Sequence, residues 1–248
     1  MERLAVVSCH VESPLDDECW RRFSALQKQR PGGFRIAALM RPPAAEAGED
    51  EGRWLERARE AAQHGPLGHH THFVSPSHAR PAAPGPEHAE RVRREAGWVR
   101  EQGLTPTLFC GGGWYMDADL AEAVAELGYD DCTATAFAPS YLAPDAPRLS
   151  LAEPARIVLP SGARLLELPS THSLGAAARS TGGDVVHVYF HDTDLLSARR
   201  RWAFEVVLRL LARRRRTTDL DELARLAAEA PETAFSDVFR GGNGESGK

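Results

Sequence analysis

The sequence predicts an α/β fold, a TIM-like (β/α) barrel of about seven strands, and three observations carry that expectation. Apolar runs of the kind found in buried parallel strands alternate with amphipathic helical stretches, the pattern of repeated β-α units. The 248 residues, 42% hydrophobic and 26% charged, suffice for one large core, and α/β barrels of this length form single domains. A Gly-x-Gly-x-x-Gly turn, which would mark an open nucleotide-binding sheet, is absent after the first strand.

Each element has its own signal. A first strand is expected at 4–9, then a helix at 15–29 stopped by Pro31-Gly32-Gly33. A strand at 34–40 leads through a Pro/Ala/Gly/Glu loop to a helix at 51–63, and a His-rich strand follows at 67–73. A long loop holding Pro76, Pro81, Pro84 and Pro86 precedes a helix at 87–102, and loops of that length are often functional. The strand at 105–110 runs into Gly111-Gly112-Gly113-Trp114-Tyr115. The helix at 117–127 ends at Gly128, a C-cap residue, and a strand is expected at 129–135. Residues 136–160 read as proline-rich and irregular, 164–168 and 185–190 as the last strands, and 197–215 and 219–230 as the last helices. One domain over 1–240 and a disordered tail over 241–248 complete the expected organisation.

Composition narrows the function. A net charge of -5 argues against nucleic acid as a partner, and the basic groups Arg199-Arg200-Arg201 and Arg213 to Arg216 flank one helix, where a solvated face complementing the helix C-terminus is the simpler role. No run of about eighteen apolar residues is present and the first ten residues lack a secretory signal, so no membrane partner and a cytoplasmic location are expected. The four cysteines are scattered without a Cys-x-x-Cys pair, so neither a disulfide framework nor a zinc ribbon is indicated; Cys9, Cys110 and Cys132 suit buried packing.

The chemistry concentrates in Gly68-His69-His70-Thr71-His72-Phe73. On an extended strand, side chains two apart share a face, so His70 and His72 point together and His69 points away. Exposed loop histidines are the plain alternative, but other strand ends carry matching residues: His10-Val11-Glu12, Gly113-Trp114-Tyr115 and Phe190-His191-Asp192. In a parallel barrel these ends gather at one rim. Glu12, His70 and His72 then form a ligand set for zinc or a similar divalent ion, with open positions for water and substrate. His10 and His191 are the candidates for base and acid, and Asp192 or Asp194 for orienting an imidazole.

These residues resemble the polysaccharide deacetylases of the NodB-homology type, carbohydrate esterase family four, over most of the chain from Val6 to about Leu223. His10-Val11-Glu12 is similar to that family's first motif, with His10 where an Asp base would stand and Glu12 where an acidic ligand would. Gly68, His70 and Thr71 match its His-(Ser/Thr)-x-x-His motif; Val74 occupies the second His position, so His72 has to substitute. Gly112-Gly113-Trp114-Tyr115 resembles the third motif without its Arg, a role for which Arg80 is the candidate. Val188-Tyr189-Phe190-His191-Asp192 matches the last motif, which implies that His191 is the general acid. Thr217-Thr218-Asp219 resembles the family's closing helix. The resemblance implies a NodB-type barrel and removal of an N- or O-acyl group, chiefly acetyl, from a sugar-like or small amide substrate.

Several residues keep two readings. Asp16-Asp17-Glu18 either extends the site or caps a helix. His172 either lines the substrate groove or sits in a plain loop, and Trp114 and Tyr115 either stack on a sugar face or pack the rim. A thiol nucleophile at Cys110 is disfavoured by its apolar strand. The alternative function is a deacetylase-shaped barrel without catalysis, acting as a carbohydrate-binding or regulatory protein.

Overall fold

A computed structural model describes residues 3–179 and 182–241; of the tail expected over 241–248, residues 242–248 lie outside them. In chain order the main elements are β1 (Leu4–Val11), α1 (Asp17–Gln29), β2 (Ala37–Met40), α2 (Glu51–His64), β3 (Leu67–Thr71), α3 (Pro86–Glu101), β4 (Leu108–Gly111), α4 (Ala118–Glu126) and β5 (Asp130–Asp131). They are followed by β6 (Arg148–Leu149), β7 (Ala155–Val158), β8 (Arg164–Glu167), β9 (His172–Ser173), α5 (Leu174–Ala177), β10 (Val185–His191), α6 (Ala198–Ala212), β11 (Arg216–Thr217), α7 (Leu220–Leu226), β12 (Glu232–Ala234), α8 (Phe235–Val238) and β13 (Phe239–Arg240).

The expected β-α alternation is present, and the main sheet is parallel except where β7 pairs β8. Its path runs β8-β5-β4-β3-β2-β1-β10-β9. β8 and β9 are two stretches of one segment: Glu167 registers with Asp131 of β5, and His172 with Val188 of β10. Between them Leu168 and Ser170 donate backbone N–H groups to Asp131 and Ala134, and Thr171 donates to His187. A single segment thus hydrogen bonds to both flanks of the sheet.

Alternation along the strands separates lining from packing. On β1, Ala5, Val7, Cys9 and Val11 join the outer core with Phe23 of α1, Ala58 of α2 and Leu208 of α6. Leu4 and Val6 instead join an inner cluster with Leu39, Leu108, Cys110, Cys132 and Leu168. Leu220 and Leu223 of α7 belong to the same cluster, so this helix covers the end where the strands begin and leaves the opposite end for the site. Burying a side chain such as Phe23 contributes about 2–3 kcal/mol. Asp16 caps α1 by accepting the Cys19 N–H at 2.8 Å, while Asp17 pairs with Arg53 and Arg57, which settles the acidic run as a helix start.

The structure corrects two expectations. Residues 136–160 contain β6 and β7, short strands whose apolar positions were too few to register as a period. Arg199 to Arg201 lie at the start of α6, flanking the helix as expected; Arg200 pairs with Asp194 and Arg201 donates to the Leu196 carbonyl at 3.2 Å. Arg215 is buried, donating to the carbonyls of Gly183 at 3.0 Å and Asp184 at 3.3 Å, because the chain ends before β10 need a donor that a solvated arginine would not supply.

Candidate metal centre

The inward positions of β1 continue past Leu4 and Val6 through Ser8 and His10 to Glu12, just beyond the strand end. Those of β10 run through His187 and Tyr189 to His191. Gly68 opens the inner face of β3, where a Cβ would collide with Leu39 and Leu108, and His70 and His72 follow on that face. These strand ends converge: Glu12 Oε1 lies 3.4 Å from His70 Nε2, 3.4 Å from His72 Nε2 and 3.6 Å from His191 Nε2.

The tautomers of the two β3 imidazoles follow from their partners. His70 Nδ1 is 2.9 Å from the Cys110 carbonyl and His72 Nδ1 is 2.9 Å from the Pro76 carbonyl. Carbonyls only accept, so each neutral ring carries its proton on Nδ1 and leaves Nε2 as a bare lone pair. Both Nε2 atoms are buried and have no hydrogen-bond partner. Orphaned imidazole nitrogens cost free energy in an apolar setting unless a ligand satisfies them. Ligands 2.0–2.1 Å from a tetrahedral ion sit about 3.3–3.4 Å apart, so the Glu12–His70 and Glu12–His72 spacings fit zinc, and the carbonyls hold the rings as outer partners do in metal sites.

Electrostatics agree with this reading. Burial alone would push the Glu12 carboxyl up, yet the imidazoles of His70, His72 and His191 clustered around it outweigh burial and hold Glu12 well below the usual carboxylate range. Burial lowers His70, partly offset by Glu12. His10 is lowered further, first by burial and then by the neighbouring His70 and His191. Its ring lies 4.8 Å from that of His70, 5.0 Å from Trp114 and 5.2 Å from His191, and it is 3% exposed. A base in that position is uncharged and closely packed.

Other predicted residues divide. Arg80 lines the cavity over Glu12 and donates to the carbonyls of Gly113 at 2.7 Å and Pro147 at 2.8 Å, fastening the loop after β4. Gly112 lets that loop approach β3, since a Cβ there would strike the Thr71 carbonyl. Trp114 is held at φ 60, a conformation that costs a non-glycine residue about 1 kcal/mol, and borders the cavity beside His10. Tyr115 does not reach Glu12, His70 or His72: it is buried and its hydroxyl donates to Asp117. His172 hydrogen bonds Thr171 Oγ1 at 2.7 Å and has no place in the cavity wall. Asp192 accepts the backbone N–H groups of Ser13 and Thr193, both at 2.9 Å, so it ties the ends of β1 and β10 together rather than orienting an imidazole. Asp194 is the carboxylate beside His191, 3.9 Å from Nδ1. Cys110 Sγ is 3.7 Å from His10 Nε2, but burial raises its thiol well above the usual range.

The cavity has a volume of about 280 Å³ and also takes in Ser77, His78 and Tyr141. Tyr141, 67% exposed, was not legible beforehand, because it stands in the aperiodic stretch after β5. Among the described residues, no helix is long and apolar enough to cross a membrane.

No protein family matches this sequence, and no curated protein does. Among solved structures, the 4-alpha-glucanotransferase from Thermococcus litoralis aligns over 92% of this chain with 10% identity and a TM-score of 0.58. The chain spans 39% of that enzyme's length. A family 4 carbohydrate esterase from Streptomyces lividans, solved with acetate, aligns over 86% of this chain and 88% of its own, with 13% identity and a TM-score of 0.48. What the glucanotransferase likeness shows is a shared α/β fold, mostly parallel in its sheet, with its chemistry left to the residues at the rim.

Proposed function

We propose that this protein is a metal-dependent hydrolase that removes an N- or O-acyl group, acetyl in the first instance, from a sugar-like or small amide substrate. The observation that carries the reading is the pair of buried, unpartnered Nε2 atoms of His70 and His72 facing Glu12 at the floor of an open cavity. A divalent ion held there, zinc by the spacing of the donors, would lower the pKa of a bound water and polarise an acyl carbonyl. His191 borders the cavity and is accessible, so it is the residue placed to pass a proton to the leaving group. His10 packs its ring against those of His70 and His191 and serves to position them. Arg80 and Trp114 shape the wall against which the acyl-bearing ring rests. A cytoplasmic setting with a soluble precursor sugar or secondary-metabolite intermediate belongs to the same proposal.

One observation favours a second reading, a non-catalytic carbohydrate-binding or regulatory barrel: the place of the expected base carboxylate holds the buried His10. Deacetylation assays on chito-oligosaccharides and acetylated small molecules separate the two. Turnover by the zinc-loaded wild type and its loss in His191→Ala are expected for the hydrolase. Binding without turnover at any metal loading would establish the second reading.

A further inference from the structure

The ligand atoms around Glu12 form two sets rather than one. Glu12 with His70 and His72 is the first, Glu12 with His10 and His191 the second; within each, the ligand atoms lie within 4.8 Å of one another, and no such set of described residues unites all five. The farthest ligands of one ion, opposite each other in octahedral geometry at zinc–nitrogen distances, sit only about 4.2 Å apart. One ion therefore does not reach both sets. The same oxygen, Glu12 Oε1, is 3.4 Å from His70 and His72 Nε2 and 3.6 Å from His191 Nε2, and turning the carboxylate so that Oε2 serves one set would let it bridge ions about 3.5–4 Å apart.

We propose that His10, Glu12 and His191 form a second divalent-cation site, weaker than the first, whose occupation inhibits the enzyme. Its three residues all border the same 280 Å³ cavity, so an ion has a route to it. Weakness follows from charge. The single carboxylate of the cluster is shared with the first ion, and Asp194, the nearest further carboxylate at 3.9 Å from His191 Nδ1, is already paired with Arg200. Inhibition rests on the hydrolase reading: an ion on His191 Nε2 occupies the lone pair needed for proton transfer and stands where substrate would enter.

The test is zinc binding to metal-stripped full-length protein, read by equilibrium dialysis and elemental analysis, with circular dichroism to verify folding. The wild type is expected to take up about two zinc ions per chain in classes differing at least tenfold in affinity. His191→Asn and His191→Gln should each lose the weaker class and keep the tighter one, so a folding defect in one variant leaves the other to decide. Saturation of the wild type at one ion overturns the second site, as does a second ion retained by the folded His191 variants. In the activity arm, turnover should fall at least tenfold as the weaker class fills; unchanged turnover overturns inhibition. Failure of the hydrolase reading would be distinguishable, appearing as no turnover with the tight class alone filled while the stoichiometry stands.

Discussion

His69 and His70 are neighbours on β3 and meet opposite conditions. His69 faces outward, its Nε2 3.0 Å from Glu95, which also accepts from Thr71 at 2.8 Å, and its Nδ1 3.5 Å from the Tyr129 hydroxyl. His70 faces inward with one nitrogen on a carbonyl and the other bare. Both are buried, so burial does not separate a structural histidine from a ligand. The fate of the second nitrogen does: in His69 it is satisfied by the protein, and in His70 it is left for something the protein does not supply.

The strongest way to break this comparison is to truncate each residue in turn. His70→Ala should reduce zinc affinity by more than the roughly 10–100-fold that loss of a supporting partner costs. His69→Ala should leave the zinc content unchanged and lower unfolding stability by about 2 kcal/mol, through the lost His69–Glu95 contact and the space left beside Phe109 and Tyr129. Elemental analysis and denaturant titration read the two effects; zinc loss in His69→Ala with an intact fold would collapse the distinction.

His187 extends the comparison to a third buried imidazole. Its Nδ1 donates to the Leu168 carbonyl at 3.2 Å and its Nε2 accepts from Ser8 Oγ at 2.8 Å, so the neutral ring is fully satisfied. Burial pulls its pKa from 6.5 down to about 4. The folded state therefore takes up a proton less readily than the unfolded one, and the stability contributed is complete above pH 6.5 and lost as pH falls toward 4. Over that window the loss is about 3 kcal/mol, and His187→Gln should flatten this part of the pH–stability curve in urea titrations. An unchanged acid slope in the variant would show that His187 does not resist protonation.

The smallest effect concerns a carboxyl contrasted with Glu12. Glu167 registers with Asp131, both fully buried, and burial reinforced by Asp131 raises its pKa well above the usual range. Its Oε1 accepts the Ala134 N–H at 2.9 Å, a bond that an amide oxygen reproduces. Glu167→Gln should change stability by less than about 1 kcal/mol at pH 7, read by thermal unfolding. A larger loss would show that the carboxyl is charged.

Much of the rim was legible from period-two geometry. The facing of His70 and His72, the opposite facing of His69, and the pairing of His10 with Glu12 all follow from strand alternation. The parallel β-α order followed from apolar runs separated by amphipathic helices. What escaped was the contribution of irregular backbone. The carbonyls of Cys110 and Pro76 that fix the imidazole tautomers carry no side-chain signature. Tyr141 lies in a stretch without period, and Asp192 was adjacent in sequence to His191 but turns to the backbone of Ser13 and Thr193. Tyr115 followed Trp114 in sequence and was assigned with it, yet the turn at Trp114 sends the two side chains to different surroundings.

The placement of β1 has a consequence for how the chain is made. This strand pairs with β2, but its longest ladder, Leu4–Val185 to His10–His191, and its contact with β11 at residues 216–217 join it to the far end of the sequence. During synthesis β1 leaves the ribosome well before β10, and its longest edge stays uncovered until residues 185–191 follow. Loop closure over so many residues is slow, and an uncovered edge invites association between nascent chains. Refolding from denaturant should accordingly be concentration-sensitive, with holding chaperones raising the yield more than dilution of denaturant alone.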